Sequence, residues 1–194
     1  MNDTQNTPHG TTPRPDEVHI ASARLSIKPF SADDAEAAFG CMTPTLTQFM
    51  AWDPPATQEA FDRIWQQWQV AATQGTEFVF AIRERESAAF LGLTGLHKLH
   101  SDYPELGIWI REDRHREGFG REAVSLVAQW ATHAFGIRRG FTYPVAEDNR
   151  ASRRIAEGLG GVVVEQRIAP KYHAVVYRIP AQSMAHVPRT GPQV

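Results

Sequence analysis

Two stretches of this chain combine residue types that chemistry needs. The first runs Gly107-Ile108-Trp109-Ile110, then through a charged loop to Gly118-Phe119-Gly120-Arg121-Glu122-Ala123. A strand-like run feeds a glycine-bearing loop, and the loop feeds a long helical pattern. The first turn of a helix carries backbone N–H groups without intrahelical partners, backed by the positive end of the helix dipole, so it attracts anions such as a pyrophosphate. Glycines let the backbone approach phosphates closely, and Arg114, Arg116 and Arg121 add positive charge. A tight structural turn would use the same Gly-x-Gly, so context has to decide. The second stretch is Asn149-Arg150-Ala151-Ser152. Its carboxamide and hydroxyl open a short helix, where they either cap the backbone or face a ligand.

Proton-transfer candidates lie nearby. Glu105 starts the strand that leads into the glycine loop, and a carboxylate there could accept a proton directly or through water; a solvated strand-end charge is the alternative. His97 and His100, at the end of the preceding strand, are the runners-up, with exposed or structural roles as their alternative. Cys41 is the single cysteine. It has no base beside it in sequence and reads as a packing residue. No His/Cys/Asp cluster has the spacing of metal ligands, so no metal is expected.

The elements that must position these groups follow from periodicity. Leu25 and Ile27 alternate with polar residues as a strand does, and Ser31 with Asp34 caps a short helix ending near Gly40. Thr57 caps a helix in which Phe61, Ile64, Trp65 and Trp68 recur at helical spacing, a pattern that reads as core packing, and Gly75 closes it. Glu77–Arg83, Ala88–Leu96 and Leu106–Ile110 form an antiparallel meander. A helix over Arg121–Phe135 follows, with Ala123, Val127, Trp130 and Ala134 in one apolar row. Then come a strand over Phe141–Val145, a short helix capped by Asn149, and strands over Val162–Ile168 and Ala174–Ile179. The order β, α, α, βββ, α, β, α, ββ predicts an α+β domain with one mixed, mainly antiparallel central sheet flanked by helices.

That order weighs against two other phosphate-binding patterns. A dinucleotide fingerprint accepts Gly118-x-Gly120-x-x-Ala123, but it needs the first strand of a parallel βαβ unit and an acidic residue about 20 positions on. Here the strand ends a meander, and Arg138, Arg139 and Phe141 occupy that later position. The P-loop pattern fails because no Gly-Lys-Ser/Thr occurs.

With Glu105–Ile110, His115–Ala123 and Asn149–Gly160 in this order, the chain resembles the GNAT acetyltransferases, in particular the RimJ/RimL-type branch that includes ribosomal-protein N-terminal acetyltransferases. The opening Leu25–Phe30 with Asp33-Asp34-Ala35 is also similar, and the likeness covers roughly residues 23 to 180. The resemblance implies a GNAT-like fold and acetyl-CoA as acyl donor. It puts the pyrophosphate on Arg116, Glu117, Gly118, Phe119, Gly120 and Arg121, and the pantetheine along Ile108, Trp109 and Ile110. That strand and the next are expected to splay, with Asn149 bonding the pantetheine, Ser152 donating to the leaving thiolate and Glu105 as base. The acceptor, a peptide N-terminus or small amine, is expected between the two N-terminal helices and the Trp52–Pro55 loop, near Tyr172 and His173. A homodimer fits the family. Three departures stand out: His115 where the family carries Arg or Gln, Ala156 where many members carry a tyrosine, and Gly161 where a Phe is common. A non-catalytic acyl-CoA-binding module on the same fold is the alternative.

Composition sets the outer bounds. The 194 residues, 42% hydrophobic and 22% charged, fit one globular domain, and a net charge of −2 gives no field for nucleic acid or an anionic membrane. No apolar stretch is long enough to span a bilayer, and Met1–Pro15 has no signal-peptide character. A cytoplasmic location is the resulting expectation. Residues 1–20 are expected to be a disordered arm, 21–182 the domain and 183–194 a flexible tail.

Overall fold

The computed structural model describes residues 13–182. Eight strands form one sheet in the order β1-β2-β3-β4-β5-β6-β8-β7, where β1 is Ile20–Ala21, β2 Leu25–Pro29, β3 Phe78–Glu84, β4 Phe90–His97, β5 Glu105–Ile110, β6 Phe141–Ala146, β7 Val162–Ile168 and β8 His173–Ile179. Five helices flank it: α1 Ala35–Gly40, α2 Pro44–Thr47, α3 Gln58–Thr73, α4 Phe119–Ala134 and α5 Arg150–Gly158. The expected α+β class holds. All neighbouring strands are antiparallel except β5 and β6, which are parallel.

The predicted caps form. Ser31 and Asp34 make a reciprocal capping box, Thr57 Oγ1 accepts from the Ala60 N–H at 3.2 Å, and Asn149 Oδ1 accepts from the Ser152 N–H at 3.1 Å. The long helix begins at Phe119, two residues earlier than its apolar rows suggest, because Gly118 serves as N-cap in a left-handed conformation.

The strands alternate, so the sheet builds two cores. One face carries Phe78, Phe80, Ile82, Leu96 and Leu106 against Ala123, Val124 and Val127 of α4. The other carries Val79, Ala81, Leu93 and Trp109 under α1 and α3, with Phe61, Trp65 and Trp68 around Phe30. The tryptophans of α3 are thus packing residues, as expected, although Trp68 also reaches a cavity.

The N-terminal boundary needs correction. Val18 and Ile20 are buried, and Ile20–Ala21 pairs with Ser26 and Ile27, so this end of the expected arm belongs to the domain. Two apolar residues are too few to give a periodic signal, and only the sheet edge makes them core. Residues 1–12, the rest of that arm, and the expected tail 183–194 lie outside the described residues. At the far edge, every residue of β7 is exposed, Val162, Val164 and Ile168 included.

Candidate active site

The glycine loop is built from the backbone outward. Gly118 has φ +83°, a region that suits glycine, and no side chain caps α4. The leading N–H groups of that helix are left for an anion. Gly120 also has a packing reason to be bare. A Cβ there would stand 3.2 Å from Ile155 Cδ1 and 3.6 Å from Ile110 Cγ1, so its bareness lets α4, α5 and β5 pack together.

Arginines brace the loop from behind. Arg24 donates from Nε to Glu122 Oε2 at 2.9 Å and from Nη1 to the Glu117 carbonyl at 3.1 Å. Arg114 bonds Glu117 and Glu84, and both partners hold its guanidinium above its ordinary pKa. The two guanidiniums lie 4.7 and 5.0 Å from the Phe119 ring centroid. Phe119 is therefore buried packing, and any contribution to an anion comes from its backbone. Arg116 and Arg121 are exposed, with Arg121 Nη2 bonded to the Gly158 carbonyl at 3.1 Å. His115 accounts for its departure from the family pattern: Nε2 meets the Ile110 carbonyl at 2.7 Å and ties the loop to the end of β5. At Gly161 a Cβ would stand 2.7 Å from the Ala156 carbonyl oxygen, so the backbone approach leaves no room for a Phe.

Strands β5 and β6 meet at one pair, Glu105 with Thr142, and then separate. The gap opens onto a cavity of about 670 Å³ lined by Gly107, Ile108 and Trp109 on one side and Tyr143, Pro144 and Val145 on the other. Asn149, Ser152 and Glu105 reach the same cavity; Ile110 and the loop residues Arg116 to Arg121 lie beyond its wall. The predicted residues thus fall into the expected anion end and a cavity end, joined by β5.

The cavity supplies chemistry that the sequence reading passed over. Tyr143 Oη lies 2.6 Å from Ser152 Oγ. Burial drives the Tyr143 pKa well above the ordinary phenol value, outweighing the bond to Ser152, so the hydroxyl stays protonated. Tyr143 is one of three alternating buried residues on β6, and alternation alone reads it as core. Glu105 Oε2 is held by Lys98 Nζ at 2.6 Å. His97 Nδ1 lies 3.0 Å from Glu77 Oε2, and both residues line the cavity. His100 does not reach it. Cys41 lies outside it too, and burial raises its pKa against the opposing charge of Arg111, which suits the packing role.

The expected acceptor end is only partly as drawn. Trp52, Asp53, Pro55 and Tyr172 line the cavity with Met42, Leu46, Met50 and Trp68, whereas His173 does not. Lys171 Nζ clamps this end, donating to Asp53 Oδ1 at 2.7 Å and to the Trp52 carbonyl at 3.1 Å. Among the described residues, no cluster of side chains could hold a metal ion, and no helix is long and apolar enough to cross a membrane.

A family model described as an acetyltransferase (GNAT) domain matches residues 24–162. The chain belongs to the GNAT acetyltransferase family. It is an N-acetyltransferase, of a family that uses acetyl-CoA. An N-acetyltransferase of Bacillus subtilis (strain 168), YoaA, described as uncharacterized, is 26% identical over 144 residues, 73% of this chain and 81% of that one. Among solved structures, a ribosomal-protein-S5-alanine acetyltransferase from Vibrio fischeri aligns with TM-score 0.75 at 13% identity, covering 85% of this chain and 97% of that chain. RimJ of Mycobacterium smegmatis, solved with CoA-disulfide, aligns with TM-score 0.72 at 16% identity, covering 81% and 82%. At these identities the structural likeness speaks for the fold, and it includes the RimJ/RimL-type branch.

Proposed function

We propose that this N-acetyltransferase moves an acetyl group from acetyl-CoA to one primary amine presented beside an apolar group, either a peptide N-terminus or a small molecule. The observation that carries this reading is the splay of β5 from β6 into a cavity with a paired hydroxyl on its wall. The uncapped start of α4 would hold the pyrophosphate, and the edge of β5 freed by the splay would pair with the pantetheine. A backbone N–H of β5 would then face the thioester carbonyl and stabilise the oxyanion of the tetrahedral intermediate. Ser152, backed by the protonated Tyr143, would donate to the departing thiolate, which takes the place of the missing tyrosine at Ala156. Asn149 holds the turn that presents Ser152. The proton acceptor comes from the row Glu77, His97 and Glu105.

The acceptor class follows from charge and packing. Among the described residues the cavity has three acidic side chains, and each has a cationic or imidazole partner: Asp53 with Lys171, Glu77 with His97, and Glu105 with Lys98. Two of these carboxylates are met by lysine ammoniums and the third is hydrogen-bonded to an imidazole, so little negative field is left for a polycationic acceptor. The wall of Met42, Leu46, Met50, Trp52 and Trp68 instead suits an apolar side chain next to the amine.

The first test is calorimetric titration of the purified chain with acetyl-CoA, using NAD and NADP as controls. Binding of acetyl-CoA alone, weakened by Gly118→Val, is the expected result. Binding of a dinucleotide in its place overturns the reading.

A further inference from the structure

The register of the meander places three ionisable side chains in one row. Leu96 lies opposite both Phe78 and Leu106, so Glu77, His97 and Glu105 follow side by side across β3, β4 and β5 on the cavity face. The next row on that face is Val79, Gly95 and Gly107. Its two glycines form a shallow seat, and the His97 imidazole lies in it. A Cβ on Gly95 would collide with the ring, and one on Gly107 would stand 3.6 Å from Nε2. Glu77 approaches the ring from the opposite edge, at Nδ1.

We infer that His97 is the proton acceptor of the acetyl transfer, with Glu77 as its positioning residue. The inference rests on the reading of the cavity given above. Glu77 keeps the ring proton on Nδ1, which leaves the Nε2 lone pair free above Gly95 and beside Gly107, the latter on the strand that would hold the thioester. The amine nitrogen attacks the thioester carbon and forms the N–C bond. One amine proton passes to Nε2. The tetrahedral intermediate collapses, the C–S bond breaks, and the thiolate takes a proton from the Ser152–Tyr143 pair. Solvent then takes the proton from His97 and returns one to the hydroxyl pair. Glu105, on the far side of His97 in the row, has its Oε2 occupied by the Lys98 ammonium at 2.6 Å. The charged groups that face His97 are thus Glu77 from just before β3, Glu105 from β5 and Lys98 beside it.

The decisive experiment needs no acceptor. Nitrogen-15 NMR of the histidine rings in the full chain, assigned with His97→Gln, reads the tautomer with and without acetyl-CoA. Neutral His97 is expected to carry its proton on Nδ1, to lose that preference in Glu77→Gln, and to shift at Nε2 when acetyl-CoA is added. A proton on Nε2 in the parent, or an unmoved Nε2 when calorimetry shows acetyl-CoA bound, overturns the assignment. If acetyl-CoA does not bind, the proposed function fails, while the tautomer still decides the Glu77–His97 pair. The kinetic arm uses phenylalanine amide as an apolar-flanked amine. His97→Gln is expected to lose about 100-fold or more in kcat with little change in the KM for acetyl-CoA, and with loss of the imidazole limb of the pH profile. A larger loss in Glu105→Gln than in His97→Gln overturns the proposal in favour of the carboxylate. If the parent does not turn over phenylalanine amide, the acceptor class fails and the tautomer remains the judge of His97.

Discussion

Neighbouring residues on β4 and β5 serve opposite ends. Leu96 and Leu106 point to the α4 face and are buried in its core, Leu106 also bordering the cavity, while His97 and Glu105 point to the other face and line the cavity. The α4 face is filled by large side chains in contact, Phe78 against Phe80 and both against Trp130. The opposite face at the same level is emptied by Gly95 and Gly107 and capped by α2 and the loop before α3. The pleat makes this separation: one residue's step along a strand moves from stability to chemistry. The packed face thus backs the reactive one, and Tyr143 belongs to both.

Adjacent substitutions break or sharpen that comparison most strongly. Leu96→Ala is expected to cost about 2–5 kcal/mol of unfolding free energy, since it opens a void in a packed core. Gly95→Ala is expected to leave denaturant unfolding within about 1 kcal/mol of the parent, because the atom its Cβ meets belongs to a side chain that can swing away. The same change expels the His97 ring, so turnover should fall about 100-fold, as with loss of the base itself. If Gly95→Ala unfolds the protein, or leaves turnover intact, the two faces are not divided as argued.

The loop ahead of α4 shows the same division at smaller scale. Gly118 is bare because of its backbone angle, and Gly120 because of its neighbours. Gly118→Val forces a β-branched residue into the left-handed region at a cost of about 1–2 kcal/mol, expressed as roughly a five- to thirtyfold weaker affinity for acetyl-CoA in calorimetry. Gly120→Val should appear chiefly in thermal stability, because its side chain would push into Ile155 and Ile110. Equal effects of the two on both readouts would show that the glycines share one role.

Much of this was legible in the sequence. The helices α3 and α4 announced themselves by apolar rows, Ser31, Thr57 and Asn149 by capping chemistry, and the anion end by a glycine before a helix. These signals are local, and residues a few positions apart carry them. The cavity end depends on register, and register is not local. Glu77 and His97 are 20 positions apart in number and become partners only once the turn between β3 and β4 and the irregularity at Ile82/Arg83 are fixed. Tyr143 looked like one more apolar position on β6 until α5 brought Ser152 to its hydroxyl. Proximity to the motif accordingly points to Glu105 as the base, and its ion pair with Lys98 becomes visible only in the fold.

The hydroxyl pair gives a finer test of the reactive face. Tyr143→Phe keeps the packing and removes one oxygen, and Ser152→Ala removes the other. Each is expected to lower kcat about tenfold, less than the roughly 10²–10⁴-fold typical of a general acid or base, with little change in affinity for acetyl-CoA. If the two hydroxyls act as one donor, the double variant should be no slower than the worse single one. Multiplying losses would mean that each oxygen acts on its own, and that Ser152 alone faces the thiolate.

The smallest expected effect tests whether the bracing of the anion end is electrostatic. Glu84 has its pKa lowered first by the hydrogen bond from Arg114 and then by that from Ser87. Because the folded value lies below the unfolded one, the stabilisation by this carboxylate is present above the ordinary glutamate value of about 4.3 and fades as pH falls through the folded value. Both partners are partly exposed, so solvent screens the pair and its share of global stability is small. Its readout is local: Arg114 rests on Phe119, the first residue of α4, so losing Glu84 as a partner should loosen the turn proposed to hold the phosphates. Amide exchange at Glu117 to Gly120 is expected to quicken a few-fold on acidification in the parent, relative to exchange in the α4 interior. In Glu84→Gln the loop should be loosened at neutral pH already and should respond less to acid. An identical acid response in parent and variant would assign the rigidity of the loop to the packing of Phe119 alone, and would make the anion end a continuation of the α4 core.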